Sequence, residues 1–225
     1  MTEEAALGGG KPSTRELMVV PDIAEAAVGL FREVQPCTLV LAGGETPRPF
    51  YRRLASEAYD WERLDVFFSD ERCVPPDDAD SNYHMAWECL LSLVPARVHR
   101  MRGETCDALG YEEELRAFFQ GRPPAFDLVF LGLGADGHTA SLFPGDAALE
   151  ESERWVARVA RPGHDRLTLT LPLLSAARTA AFLVAGAGKR EALRRLLEGA
   201  DLPAARVGAQ RGVIIADRFA SPEQG

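Results

Sequence analysis

Short, nearly continuous apolar runs alternate along this chain with longer stretches in which apolar residues return every third or fourth position. The first kind reads as buried strands: Glu16 to Val20, Thr38 to Ala42, Asp65 to Ser69, Phe126 to Leu131, Leu167 to Leu171, Ala180 to Val184 and Gly212 to Ala216. The second kind reads as amphipathic helices. Asp22 can cap a helix running to about Val34, with Ile23, Ala26, Ala27, Leu30 and Phe31 on its inner face. Pro47 suits the first turn of a second helix, which turns Phe50, Tyr51 and Leu54 inward. Further helices are expected from Ser81 to about Leu91, from Asp107 to Phe119 and from Lys189 to Leu197. Residues 70 to 80 read as a polar loop.

Strands alternating with helices predict an α/β protein: a single-domain, three-layer Rossmann-like fold with a mostly parallel sheet covered by helices on both faces. The expected domain spans residues 15–220, between a flexible N-terminal tail (1–14) and a C-terminal tail (221–225). In such a sheet, ligands bind beyond the carboxyl ends of the strands. The unusual polar clusters of this chain fall there, or early in the segments that follow.

The first is Gly43-Gly44-Glu45-Thr46-Pro47, between a strand and a helix start, where backbone N–H groups and the Thr46 hydroxyl suit an anion. The second is Ser69-Asp70-Glu71-Arg72, with Ser81-Asn82-Tyr83 beyond the Pro75-Pro76 turn. Here neighbouring carboxylates could hold Arg72 toward a substrate oxygen, and the intervening segment could order over a ligand. The third pairs Arg166, at a strand start, with Lys189, at a helix start. The longest is Gly132-Leu133-Gly134-Ala135-Asp136-Gly137-His138-Thr139-Ala140-Ser141-Leu142-Phe143-Pro144, which puts a carboxylate and an imidazole two residues apart on a glycine-rich loop. Each cluster also has a plainer reading: a structural glycine turn, a solvated salt-bridge group, surface basic residues, or a turn with a capping Asp.

Composition narrows the function classes. The net charge of −9 argues against nucleic acid or an acidic membrane as partner, and no apolar run approaches the length of a membrane span. A small phosphorylated substrate is still compatible, because it needs only a local positive pocket. Of 25 basic residues only Lys11 and Lys189 are lysine, which singles out Lys189 among glycines inside the chain. Cys37, Cys73, Cys89 and Cys106 are widely spaced, so metal binding and a disulfide framework are not expected. Reduced thiols and a cytoplasmic location are the expectation. His84, His99 and His164 read as structural or solvated, and Trp61, Trp87 and Trp155 as packing residues.

Together these segments resemble the 6-phosphogluconolactonase family, in the family's order and over about Leu17 to Phe219. The Gly132 to Pro144 stretch is the most specific part. Glu45 stands where the family usually has Ser, so a side-chain phosphate contact is not expected there. The resemblance implies hydrolysis of 6-phospho-D-glucono-1,5-lactone to 6-phospho-D-gluconate, a step of the oxidative pentose phosphate pathway, with no metal and no cofactor. It implies His138 as general base on water, Asp136 orienting it, and Arg72 steadying charge on the carbonyl oxygen. Gly43, Gly44, Thr46, Arg166 and Lys189 would hold the phosphate, with Asp70, Asn82 and Gly134 also lining the substrate site. The expected partner is the phosphorylated sugar lactone, and the expected assembly a monomer or weak homo-oligomer.

Two other functions share these features. A glucosamine-6-phosphate deaminase has a similar Asp-Gly-His loop but continues to Asn-Glu-Pro, where this chain has Leu142-Phe143-Pro144; Phe143 cannot transfer a proton. A non-catalytic sugar-phosphate sensor would keep the phosphate site without the chemistry, yet Asp136 and His138 are both present.

Overall fold

A computed structural model of the chain describes residues 15–222. The expected tail 1–14 lies outside the described residues, as do residues 223–225 of the expected C-terminal tail. The elements in order are β1 (Glu16–Val19), α1 (Ile23–Val34), β2 (Thr38–Leu41), α2 (Arg48–Leu54), β3 (Asp65–Phe68), β4 (Asp70–Arg72), α3 (Asn82–Ala86), β5 (Arg97–Val98), α4 (Ala108–Phe118), β6 (Leu128–Gly132), β7 (Val156–Val159), β8 (Arg166–Leu169), α5 (Leu171–Ser175), β9 (Thr179–Val184), α6 (Arg190–Leu197), α7 (Pro203–Arg206) and β10 (Arg211–Ala216).

Seven strands form one parallel sheet in the order β1-β10-β9-β6-β2-β3-β5, flanked by helices. The central strands β2, β3, β6 and β9 are buried almost throughout, as strands covered on both faces must be. Their apolar runs therefore continue without alternation. Sequence capping signals act where expected. Asp22, Ser81 and Asp107 each accept a hydrogen bond from the backbone N–H three residues on, at 3.1, 3.1 and 3.0 Å.

After β2 the chain proceeds to β3 and β5 on one side. After β6 it proceeds to β9 and β10 on the other. The carboxyl ends of the adjacent β2 and β6 thus flank the point where the winding reverses, and a crevice opens there. Asp127 fixes their register from the opposite end. Its carboxylate accepts from the N–H groups of Cys37 and Thr38 at 2.9 and 3.0 Å, and its own N–H donates to the Thr38 hydroxyl at 2.8 Å.

The structure corrects four expectations. Asp70–Arg72 is not loop but strand β4, pairing antiparallel with β8, which pairs antiparallel with β7. This small second sheet also claims the Leu167 run, whose apolar pattern cannot distinguish a parallel partner from an antiparallel one. On α1 the buried face is Ala24, Ala27, Val28, Leu30 and Phe31, with Ile23 and Ala26 only partly covered. The stripe is turned toward α2, β9 and β10. The expected helix from Ser81 is α3 followed by a π-helical turn, Trp87–Leu91. Finally, Cys73 and Cys106 form a disulfide, while Cys37 and Cys89 are free. A separation of 33 residues carries no local signal. The two cysteines meet because the segment after β5 folds onto the backbone following β4, so closely that a Cβ on Gly103 would lie 2.2 Å from the Arg72 carbonyl oxygen.

Candidate active site

The crevice at the carboxyl ends of β2 and β6 is a cavity of about 230 Å³. It is bordered by the loop after β2, the side chains of β4 and β8, the loop after β6 and the turn before α6. Of the eleven residues proposed from sequence, Gly43, Gly44, Thr46, Asp70, Arg72, Asn82, Gly134, His138, Arg166 and Lys189 line it. Asp136 does not line it and instead stands behind His138.

The loop after β6 is built around that histidine. The Gly134 N–H donates to the His138 carbonyl at 2.8 Å, and the Gly137 N–H to the Gly134 carbonyl at 3.0 Å. Gly137 sits at φ +91°, where a side chain would be strained and would meet Leu202. One Asp136 carboxylate oxygen faces the His138 Nδ1 at 2.6 Å and accepts the His138 backbone N–H at 3.0 Å. A carboxylate only accepts, so Nδ1 carries the proton and Nε2 presents its lone pair. Nε2 has no hydrogen-bond partner among the described residues. Burial pushes the Asp136 carboxyl up, but the bonds from the His138 backbone and ring outweigh it and leave the group below the usual range.

Two of the glycines expected in the substrate site, Gly43 and Gly134, line the cavity and also lie hard against protein side chains. A Cβ on Gly134 would lie 2.0 Å from the His138 Nδ1, and one on Gly43 would lie 2.1 Å from the Asn82 amide oxygen. Gly44, at φ +88°, is the glycine of this loop with open space beside it. The Tyr51 hydroxyl donates to the Ala42 carbonyl at 2.8 Å and so anchors the loop from beneath. The N–H groups of Gly44, Glu45 and Thr46 donate to no group among the described residues, leaving them available to an anion. The Glu45 side chain is 85% exposed and pairs with Arg48 at 3.0 Å, so its charge is drawn toward the helix.

Electrostatically the cavity opposes the net charge of the chain. Arg72, Arg166 and Lys189 line it, and none pairs with a carboxylate among the described residues. Arg72 and Arg166 are direct partners across β4 and β8. Both have a buried Nε–H without an acceptor. Arg72 is steadied by one bond, from Nη1 to the Asp80 carbonyl at 2.5 Å. Burial, and then repulsion from Arg72, pulls the Arg166 guanidinium below its usual value; Arg161 adds to this and Asp70 opposes it. Two adjacent uncompensated guanidiniums in a half-buried site strongly favour an anionic ligand.

Asp70 lines the cavity, but its oxygens are already engaged. It accepts from the Ser141 hydroxyl at 2.6 Å, the Ser69 hydroxyl at 3.1 Å and the Asn82 amide at 3.3 Å. It joins the histidine loop to β4 and α3. The expectation that neighbouring carboxylates hold Arg72 is corrected: neither Asp70 nor Glu71 pairs with its guanidinium among the described residues, because both are engaged elsewhere. Glu71 instead binds the start of α3, a role not read from sequence. Its buried carboxylate accepts from the N–H groups of Arg72, Asn82 and Tyr83, each at 2.7 Å, and from the Ser81 hydroxyl at 3.0 Å. Burial raises its carboxyl above the ordinary range against the pull of those bonds. Ser141 was likewise passed over. A run of acids followed by a Ser-Asn helix start was its available signal, since a buried carboxylate needs such donors.

The other histidines lie elsewhere. His84 is on α3 near Glu88, His164 is near Asp80, and His99 follows β5. Among the described residues, no group of three His, Cys, Asp or Glu side chains is placed to hold a metal ion. No helix among the described residues is long and apolar enough to cross a membrane.

The family model described as glucosamine-6-phosphate isomerases/6-phosphogluconolactonase matches residues 14–216. A 6-phosphogluconolactonase from Synechocystis is 47% identical over 166 residues, covering 69% of this chain and 69% of its own length. The solved structure of 6-phosphogluconolactonase from Thermotoga maritima superposes with a TM-score of 0.82 at 30% identity, covering 91% of this chain and all of that one. A monomeric glucosamine-6-phosphate deaminase has the same fold, with a TM-score of 0.76 at 20% identity over 91% of this chain and 98% of its own.

Proposed function

Because this chain belongs to the glucosamine-6-phosphate isomerase/6-phosphogluconolactonase family, we propose that it hydrolyses 6-phospho-D-glucono-1,5-lactone to 6-phospho-D-gluconate. One observation carries the reading. A histidine with Nδ1 on a carboxylate shares a cavity with three cations, and among the described residues its Nε2 is unengaged and the cations have no carboxylate partner.

A δ-lactone is an activated ester, so water serves as nucleophile. The His138 Nε2 removes a proton from water as its oxygen attacks the lactone carbonyl carbon. Negative charge then gathers on the carbonyl oxygen, where Arg72 steadies it. Collapse of the tetrahedral intermediate breaks the bond between that carbon and the ring oxygen. The imidazolium returns its proton to the departing oxygen, leaving the acid and a free hydroxyl. Asp136 holds the ring in the required tautomer throughout. Arg166, Lys189 and the amides of Gly44 to Thr46 hold the phosphate and so fix the ring relative to His138.

The His138 environment favours this reading over the deaminase. Ring opening needs additional proton-transfer groups, and the side chain packed against the imidazole is Phe143, 4.5 Å between ring centroids.

The test follows formation of 6-phosphogluconate from freshly generated lactone, above the spontaneous rate. Activity is expected with the phosphorylated lactone and much less with unphosphorylated gluconolactone. Arg166→Ala and Lys189→Ala should each raise KM by about tenfold, the loss of one charge-assisted contact. Ammonia release from glucosamine 6-phosphate without lactone turnover would replace this reading with the deaminase, and ligand binding without either activity would replace it with a sensor.

A further inference from the structure

The mechanism above leaves Phe143 and Arg161 without a task, yet they stand directly behind the imidazole. The Phe143 ring lies 4.5 Å from the His138 ring, with 37° between their planes. The guanidinium carbon of Arg161 lies 3.6 Å from the centroid of the same Phe143 ring. Guanidinium and imidazole are therefore within about 8 Å of each other, a range over which a unit charge still acts through protein.

Arg161 is firmly placed. Its Nη2 donates to an Asp146 oxygen at 2.6 Å, and both side chains are only 27% exposed. Asp146 belongs to the turn that begins at Phe143, since its N–H donates to the Phe143 carbonyl at 3.1 Å. Arg161 thus grips that turn by carboxylate and ring together. The Arg161 Nε–H is buried without an acceptor. The guanidinium sits over the ring in place of completing its hydrogen bonds, as a cation–π contact requires.

A second positive charge beside the same ring is disfavoured. Protonated His138 would share Phe143 with Arg161, and with Arg166, whose guanidinium carbon is 6.0 Å from that centroid. The other charged groups facing the site are Asp136 on the same loop, Glu45 in the loop after β2, where Arg48 engages it, Asp70 and Arg72 on β4, and Lys189 before α6. Asp146 offsets Arg161 in part. Asp136 alone favours the imidazolium at contact distance, and the clustered cations oppose it.

We infer that Arg161, acting through Phe143, is a positioning residue for His138: it fixes the ring on which the imidazole rests and opposes a second positive charge there. The catalytic consequence rests on His138 being the general base; the effect on its protonation does not.

The experiment therefore has two readouts, an NMR titration of His138, assigned by its loss in His138→Ala, and the pH profile of kcat/KM. Removing the cation in Arg161→Gln should raise the His138 midpoint by about half a pH unit, with the acid limb of kcat/KM moving by the same amount. On the acid limb, well below the midpoint, this lowers kcat/KM by about threefold, while KM stays within about twofold because Arg161 does not line the cavity. Arg161→Lys keeps the charge and should restore most of the midpoint. In Phe143→Leu, kcat should fall by about fivefold at little change in KM, since the imidazole loses its support. A merely structural Arg161 would lower activity equally at every pH and leave the midpoint in place. An unmoved midpoint in Arg161→Gln would overturn the inference. Full turnover in His138→Ala would overturn the general-base reading, with the titration still deciding the role of Arg161.

Discussion

Among the described residues two histidine–aspartate pairs lie at 2.6 and 2.9 Å, and they have opposite surroundings. At the carboxyl ends of the parallel strands, His138 meets Asp136 through Nδ1 alone, and Nε2 is left over. At the other end, His99 is spanned by carboxylates: Nε2 lies 2.9 Å from Asp65 and Nδ1 3.3 Å from Glu114. Its ring stacks on Phe67 at 4.4 Å with only 7° between planes. Asp65 is also forked by Arg97, at 2.9 and 2.6 Å. Every polar atom of the second pair is spoken for, so it can brace but not react. A histidine beside an aspartate says little about chemistry; an unengaged nitrogen facing a cavity says much more.

The sharpest break of this comparison is to delete each ring in turn. His138→Ala should lower kcat by about 10³-fold, the middle of the range for a general base, with Tm almost unchanged. His99→Ala should do the reverse. It removes a stacked ring and leaves Glu114 unpartnered there, costing about 2 kcal/mol of stability while turnover stays within about twofold. Denaturant unfolding and a lactone assay on both variants give the four values. Comparable activity losses in the two would erase the distinction.

The next effect tests whether the two ends are independent. The Cys73–Cys106 disulfide ties the segment that follows His99 to the residue after Arg72. Closing a loop with a separation of 33 residues stabilises a chain by about 3.7 kcal/mol through the unfolded state. Cys73→Ala with Cys106→Ala should therefore lower stability by about that amount, and kcat by much less than His138→Ala does. A loss of activity as large as that of His138→Ala would mean that the bracing region sets the position of Arg72.

Smaller again is the removal of charge from one member of the working pair. Asp136→Asn keeps the shape but can donate to Nδ1, favouring the tautomer with its proton on Nε2. A fall in kcat of about 30-fold is expected. Unchanged kcat would reduce Asp136 to a loop-building residue.

Much of this was legible in the sequence because it rests on local pattern. Continuous apolar runs marked strands buried on both faces, and Asp22, Ser81 and Asp107 marked helix starts. The polar clusters were legible as one site because parallel strands deliver their carboxyl ends to one edge. The illegible parts all depend on distant partners. Nothing local distinguishes the edge pairing of β4 with β8 from continuation of the main sheet, and nothing local joins Cys73 to Cys106. The glycines show the limit best. Gly134 and Gly43 are legible as parts of a substrate site; that the first accommodates the His138 ring and the second the amide of Asn82, 39 residues along the chain from Gly43, is not. Arg161 carried no signal at all, since its meaning lies in a ring 18 residues earlier.

The smallest expected effect separates the two aspartates by pH. Both carboxyls lie below their ordinary value of 3.8: burial raises each, and hydrogen bonds from His138 in one case, from Arg97 and His99 in the other, more than reverse it. A depressed carboxyl contributes stability that is present above its unfolded pKa and is lost as pH falls through the folded one. The Asp65 side chain is 10% exposed, so its interactions are poorly screened and belong to the fold. That of Asp136 is 51% exposed, and solvent removes most of any such contribution. Tm measured from about pH 5 down to about pH 3 should therefore fall less steeply in Asp65→Asn than in wild type. Asp136→Asn should follow the wild-type slope while its turnover falls. Equal slopes in wild type and Asp65→Asn would remove Asp65 from the brace, and a flattened slope in Asp136→Asn would place the working pair among the groups that hold the fold.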